Sequence, residues 1–199
     1  MRGCALFLWG WMVLFLYAAR HGQTDMNARN EISGVTDLDL NETGIAQAEL
    51  LAEKLVLLPF PPRLIIASDM QRAKHTAAIA ADRLQIPLLY DKRLREQNYG
   101  SFEGMDRFTD GFLQTKSQFA VRYPGGESML MTGQRVYNFL DDVLQTYRGV
   151  DLLVVAHGGI LRILRTYFMD MTNSEFFHYN ADNAGFETYT IDIVSEGSL

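Results

Sequence analysis

Cysteine is almost absent from this chain of 199 residues: Cys4 stands alone, so no disulfide can form within it. Histidine is nearly as scarce. His21, His75, His157 and His178 are the four, and none has a second His or Cys at the spacing of a metal-ligand pair. The two shortages predict a reducing compartment, the cytoplasm, with no metal and no cofactor. Basic residues are outnumbered, 18 Lys and Arg against 24 Asp and Glu, for a net charge of -6. Broad electrostatic attraction to nucleic acid or to an anionic membrane is thereby excluded, and any anion site must be local. Long uncharged runs are also lacking, with one exception, Cys4 to Ala19. It is short for a transmembrane helix. It has the look of the apolar stretch of an export signal, the minority alternative, because Leu16 or Tyr17 would spoil the small-x-small pattern before a cleavage near its end. The preferred reading is a buried first strand over Val13 to Ala19, with residues 1–11 a poorly ordered extension.

What is present, 48% hydrophobic and 21% charged residues, suffices for one substantial core and predicts a single domain over residues 1–199. After the first strand a polar loop runs from Gly22 to Asn41, followed by a helical pattern with Ile45, Ala48, Leu51 and Leu55 on one face. Pro59, Pro61 and Pro62 end that helix. Leu64 to Ala67 reads as a short strand, Ser68 or Asp69 as the cap of an alanine-rich helix to about Leu84, and Pro87 to Tyr90 as a further strand. A mixed segment reaches Tyr123, and PGGES then introduces a helix to about Tyr147. Asp151 to Ala156 is a buried strand broken by Gly158 and Gly159, a helix follows from about Leu161 to Phe168, and Phe186 to Ile193 alternates as an edge strand. This rhythm predicts an α/β fold, a three-layer αβα arrangement around a mostly parallel sheet with an antiparallel edge strand.

Two of the strands end alike, LFLYAA in Arg20-His21-Gly22 and LLVVA in His157-Gly158-Gly159, and a third, LIIA, runs into SDMQR with Arg72. The carboxyl ends of parallel strands line the ligand crevice, so these residues converge although far apart in sequence. Glycine beside each histidine lets backbone approach a ligand, and helix N-termini favour an anion. Arginine grips phosphate bidentately. With the charge neutralised, an imidazole nitrogen can attack phosphorus in line while a second imidazole donates to an equatorial oxygen. The leaving alkoxide then needs a proton from a nearby carboxylic acid, for which Glu96 is the candidate, a surface ion pair being its plain alternative.

RHGQT (Arg20 to Thr24) resembles the signature of the histidine phosphatase superfamily, the phosphoglycerate mutase-like family. The likeness continues through Asn27, SGVTDLDLNETG (Ser33 to Gly44), SDMQRAKHTA (Ser68 to Ala77), LREQNYGSFEG (Leu94 to Gly104), PGGES (Pro124 to Ser128) and VVAHGG, in order, across residues 13 to 193. Leu40 and His75 depart from the usual pattern, which often has proline and glutamine there. The resemblance implies His21 as nucleophile, Arg20, Arg72 and His157 as the rest of the phosphate pocket, and Glu96 as proton donor. Gln23, Thr24, Asn27, Ser33, Gly34, Tyr99, Gly158 and Arg162 are candidate substrate contacts, with positioning of the loop as the plain alternative for Gln23; His75 and His178 are expected at the surface or in packing, and Phe176, Phe177 and Tyr179 in the core or at the rim. The segment 100–123 is short, with Arg107, Lys116 and Arg122 as its basic groups, and HGGILR lacks an asparagine usual in the glycolytic mutases. The expectation is therefore a metal-independent phosphomonoesterase acting on a small phosphorylated metabolite. The alternatives are a cofactor-dependent phosphoglycerate mutase and a non-catalytic module that binds phosphorylated ligands. Homodimerisation is left open.

Overall fold

Three apolar runs too short for helices and flanked by turn residues become the centre of one sheet. The computed structural model describes residues 11–194. The expected poorly ordered extension over 1–11 lies, apart from Trp11, outside the described residues, as does the first part of the apolar run on which the export alternative rested. From Trp11 onward that run is strand. The strands are β1 (Trp11–Arg20), β2 (Leu64–Ala67), β3 (Leu88–Tyr90), β4 (Leu152–Ala156) and β5 (Phe186–Val194), in the order β3-β2-β4-β1-β5. All neighbours pair in parallel except β5, which runs antiparallel to β1 at the edge.

The period of two along each strand divides the core. Leu16, Ala18, Ile66, Val154 and Ala156 face one way, and Tyr17, Ala19, Ile65, Leu153 and Val155 the other. The helices are α1 (Asp25–Ala28), α2 (Glu42–Val56), α3 (Gln71–Leu84), α4 (Asp110–Lys116), α5 (Met129–Thr146), α6 (Gly158–Phe168) and α7 (Asn173–His178). Helices α5 and α6 cover the first face through Val136, Phe139, Ile160 and Leu164, and α2 and α3 cover the second through Leu51, Leu55, Ala73 and Ala77. The result is a three-layer αβα structure. A smaller cluster of Ile32, Tyr99, Phe112 and Tyr123 anchors the segment that covers the carboxyl ends of the strands. Among the described residues no helix is long and apolar enough to cross a membrane.

Several boundaries differ from expectation for physical reasons. Neither Ser68 nor Asp69 caps α3: Met70 occupies the cap without a side-chain bond, and the Gln71 N–H donates to Asp37 Oδ1 at 2.7 Å, a carboxylate from a distant loop. Helix α6 begins at Gly158 rather than near Leu161, so the glycines read as strand breakers form its first turn. The loop after β1 contains α1, closed by a capping box between Thr24 and Asn27. Gly22 is small for a different reason from the one expected: a Cβ there would lie 2.3 Å from the Gly44 carbonyl oxygen, so it makes room for the start of α2.

Candidate active site

The three parallel strands β1, β2 and β4 deliver His21, Ser68 and His157 immediately beyond their last residues, and the early turn of α3 adds Arg72. All four are buried. The His21 and His157 ring centroids stand 5.0 Å apart. Arg72, with no exposure at all, donates from Nε to His21 Nε2 at 3.2 Å. A guanidinium has no acceptor, so His21 Nε2 must carry the lone pair. The ring proton therefore sits on Nδ1, which donates to the Gly22 carbonyl at 2.7 Å. Burial, with the cations of Arg72 and Arg20, holds His21 well below its ordinary 6.5, and the same causes, with His21 itself, do so for His157. Both rings are neutral, and Nε2 of His21 is a ring nitrogen with its lone pair free of a proton.

Arg72 also donates to the carbonyls of Thr36, Gly34 and Ser33 at 2.9, 2.9 and 3.3 Å, locking the loop after α1 to the histidine. That loop is gripped from the other side by Glu103, whose carboxylate accepts from the N–H groups of Gly34, Val35 and Thr36. His157 Nε2 meets Ser68 Oγ at 2.9 Å, while its Nδ1 is buried without a protein partner among the described residues. Arg20 donates from Nη1 to the Ala181 carbonyl at 2.7 Å and also keeps a buried Nε without a partner among the described residues. Burial first, then repulsion from Arg107 and Arg72, lowers the Arg20 pKa to about 10, so it stays charged at neutral pH. A buried polar atom without a protein partner is costly, and a guanidinium Nε and an imidazole Nδ1 left this way suit an anion.

Glu96 is buried rather than paired at the surface: Arg93 bonds Asp91 and Asp142, and Arg95 bonds Asp69, which turns both arginines outward. Its carboxylate accepts from the Gln97 N–H at 2.8 Å and from the Gly159 N–H at 3.0 Å, at the first turn of α6. Gly159 is required there, because a Cβ would stand 2.5 Å from Glu96 Oε1. Arg135 clasps the carbonyls of Arg93, Arg95 and Glu96 and the carboxylate of Glu127, which fixes the backbone carrying Glu96.

A cavity of about 410 Å³ opens over this cluster. Arg20, Ser33, Glu96, Tyr99, Gly158 and Arg162 help to form its wall, whereas His21, Arg72 and His157 sit beyond that wall. The remaining sequence candidates make bonds within the surrounding framework. Thr24 and Asn27 form the α1 capping box, Gln23 accepts from Asn41 Nδ2 at 3.1 Å, and Gly34 has its N–H bound by Glu103 and its carbonyl by Arg72. His75 pairs with Asp39 at 2.8 Å, and Phe176, Phe177 and Tyr179 belong to the rim beside the cavity. Sequence reasoning missed Ser68 as the partner of His157, although its place after β2 matches that of the histidines after β1 and β4. It also missed Glu103 and Arg135, which carry no local signal. Among the described residues no group of three His, Cys, Asp or Glu is placed to hold a metal ion.

Two neutral histidines kept neutral by their surroundings make stability depend on pH. Between their depressed folded pKa values and 6.5 the unfolded chain binds protons that the folded chain refuses, so stability is full above about 6.5 and is lost as pH falls below it. Two such groups give a slope of about 2.7 kcal/mol per pH unit. Urea unfolding from pH 7 to 5 should show that decline, and His157→Gln should roughly halve the slope; a flat profile would contradict the neutral pair.

Known proteins resemble this chain in sequence and in fold. A chain of Schizosaccharomyces pombe named a probable phosphatase is 34% identical over 160 residues, covering 78% of this chain and 73% of that one. The probable phosphoglycerate mutase GpmB of Yersinia pestis is 37% identical over 159 residues, covering 76% and 73%. Among solved structures, a mycobacterial glucosyl-3-phosphoglycerate phosphatase superposes with a TM-score of 0.79 at 25% identity over 90% of this chain and 91% of that one. The alpha-ribazole phosphatase of Shigella flexneri does so with a TM-score of 0.75 at 26% identity over 91% and 95%. The family model for the histidine phosphatase superfamily, branch 1, matches residues 16–193, nearly the whole span in which the paired histidines and their arginines are set, and this chain belongs to that superfamily.

Proposed function

We propose that the protein is a phosphomonoesterase that hydrolyses small phosphorylated metabolites through a phosphohistidine on His21. The observation that carries the reading is the tautomer: Nε2 holds its lone pair inside a buried cluster with two arginines and a second imidazole. An incoming phosphate dianion displaces Arg72 Nε from that nitrogen and takes the donor for itself. Arg20 Nε and, with Ser68 Oγ–H donating to its Nε2, His157 Nδ1 are both without partners among the described residues and supply two further donors to its oxygens. The Nε2 lone pair then bonds to phosphorus as the ester P–O bond breaks, and Glu96, in its acid form, gives the departing alkoxide its proton. In the second half a water attacks phosphorus, Glu96 takes the water's proton, and the P–N bond breaks to release phosphate and neutral His21. The arginines supply the positive charge, so the scheme needs no cofactor. We read residues 11–194 as one catalytic domain.

Return of the phosphoryl group to substrate, as a mutase would do, is the second reading, favoured by the likeness to the Yersinia mutase. Phosphate release from a panel of monoesters in the presence of chelator, with and without a bisphosphate primer, separates the two. Release without primer supports hydrolysis; isomerisation of a phosphorylated acid that depends on primer, with no free phosphate, would sink it. Glu96→Gln tests the acid. Its kcat should fall about 10²- to 10⁴-fold on alkyl phosphates and far less on 4-nitrophenyl phosphate, whose leaving group needs no proton; equal losses on both would assign Glu96 another role.

A further inference from the structure

Beyond the catalytic floor the cavity carries positive charge that chemistry at one phosphate does not use. Arg107, Lys116 and Arg162 all line it. Arg162 is 4% exposed, and its Nε has no partner among the described residues; the buried Nε of Arg107 has none either. Aromatic faces, not carboxylates, support two of the three: the Arg162 guanidinium lies over the Phe176 ring at 4.8 Å, and Lys116 Nζ over Phe177 at 4.6 Å. Cation–π contact holds such a group in place without neutralising it. The carboxylate of Glu31, also on the wall, is taken by Arg29 through bonds of 2.8 and 2.9 Å. Glu96 lies with the catalytic cluster on the first turn of α6.

We propose that the substrate carries a second anionic group, a carboxylate or another phosphate, which Arg107, Lys116 and Arg162 bind while the scissile phosphate occupies the cluster around His21. The inference deepens the phosphomonoesterase reading and rests on it for the position of the scissile group. The three cations come from different parts of the chain, the loop before α4, the end of α4 and the second turn of α6, so only the fold assembles them. Burial, then Arg162 and Arg107, lower the Lys116 pKa to about 8, the sign of cations crowded together that an anion would relieve. Two guanidiniums, each with an unpartnered Nε among the described residues and with only a weak 3.9 Å contact from Arg162 Nη2 to Met129 Sδ, can grip an anion by N–H donors in a planar array, which a lone lysine could not.

The test compares matched pairs on the full chain. In 3-phosphoglycerate a carboxylate replaces a hydroxymethyl group of glycerol 3-phosphate, and glucose 1,6-bisphosphate adds a phosphate to glucose 6-phosphate. The anionic member of at least one pair should be preferred in kcat/KM by about tenfold to a hundredfold, more at low salt than at high, and the pair that responds tells carboxylate from phosphate. Arg107→Gln and Lys116→Gln should each lower that preference by about tenfold. These two are only half-buried, whereas Arg162 is buried and its loss endangers the fold. Equal rates within both pairs, or a preference that survives both substitutions, overturn the proposal. If no compound is hydrolysed, the hydrolytic reading fails by itself, and calorimetry decides the subsite: tighter binding of the anionic member upholds it, and equal dissociation constants overturn it.

Discussion

Replacing His21 with alanine should abolish phosphate release, lowering kcat by about 10⁴-fold or more, because the proposed mechanism carries the phosphoryl group on its Nε2. The remaining donors on Arg20, Arg72 and His157 still bind phosphate, so KM or the inhibition constant for inorganic phosphate should change far less. The fold should survive. Arg72 loses one acceptor but keeps its three carbonyl partners, and the lost ring leaves a small cavity at the end of β1. Two measurements check the result. Steady-state release measures the loss, and rapid quenching into alkali, where phosphohistidine persists, followed by acid, where it decays, detects the labelled protein in the parent and not in the variant. Residual activity above a few per cent would mean that water attacks the ester directly and that His21 merely binds it.

The second large effect is expected from Arg72→Lys, a substitution that conserves charge. Arg72 occupies four acceptors at once, His21 Nε2 and the carbonyls of Ser33, Gly34 and Thr36, in directions set by the planar guanidinium. A lysine ammonium can satisfy only part of this set and cannot offer a flat pair of donors to phosphate. Buried carbonyls left unpaired cost about 1–3 kcal/mol each, so the protein should lose roughly 2–4 kcal/mol of stability and about 10²- to 10³-fold of kcat/KM. Chemical unfolding and substrate kinetics read the two losses separately. Near-parental activity would remove Arg72 from the phosphate pocket and leave it a loop anchor.

The parts of the molecule legible in its sequence are those in which local pattern and tertiary environment agree. LIIA and LLVVA are apolar throughout because helices cover both faces of the sheet, and β2 occupies the four residues expected. Misread boundaries arise where a distant residue supplies what a local one was expected to supply. Asp37 binds the first turn of α3 in place of Ser68, and Glu96 settles on the first turn of α6, which turns Gly158 and Gly159 from a break into a beginning. The short helices α1, α4 and α7 escaped notice because one or two turns are not stable alone and leave little periodicity to read. At the site, His21 and His157 were visible because His157 follows an apolar run directly and His21 follows one after Arg20 alone. The orientation of those rings by Arg72 and Ser68, and the bracing of the surrounding loops by Glu103 and Arg135, depend on pairings across much of the chain that no local pattern records.

The hydrogen bonds of Glu103 to residues 34–36 have a neighbour in the closure of the segment that follows. Ser101 N–H meets the Pro124 carbonyl at 2.9 Å, and Glu127 N–H meets the Asn98 carbonyl at the same distance, so the stretch from Met105 to Tyr123 leaves and re-enters the fold at a stitched base, with further ties to Asn30, Ile32 and Leu130 along its course. The entropy of closing such a loop grows only slowly with its length. A chain built this way can exchange its roof for a longer, shorter or differently charged one while the hearth beneath keeps its shape, which makes that base a natural place to graft new substrate preferences.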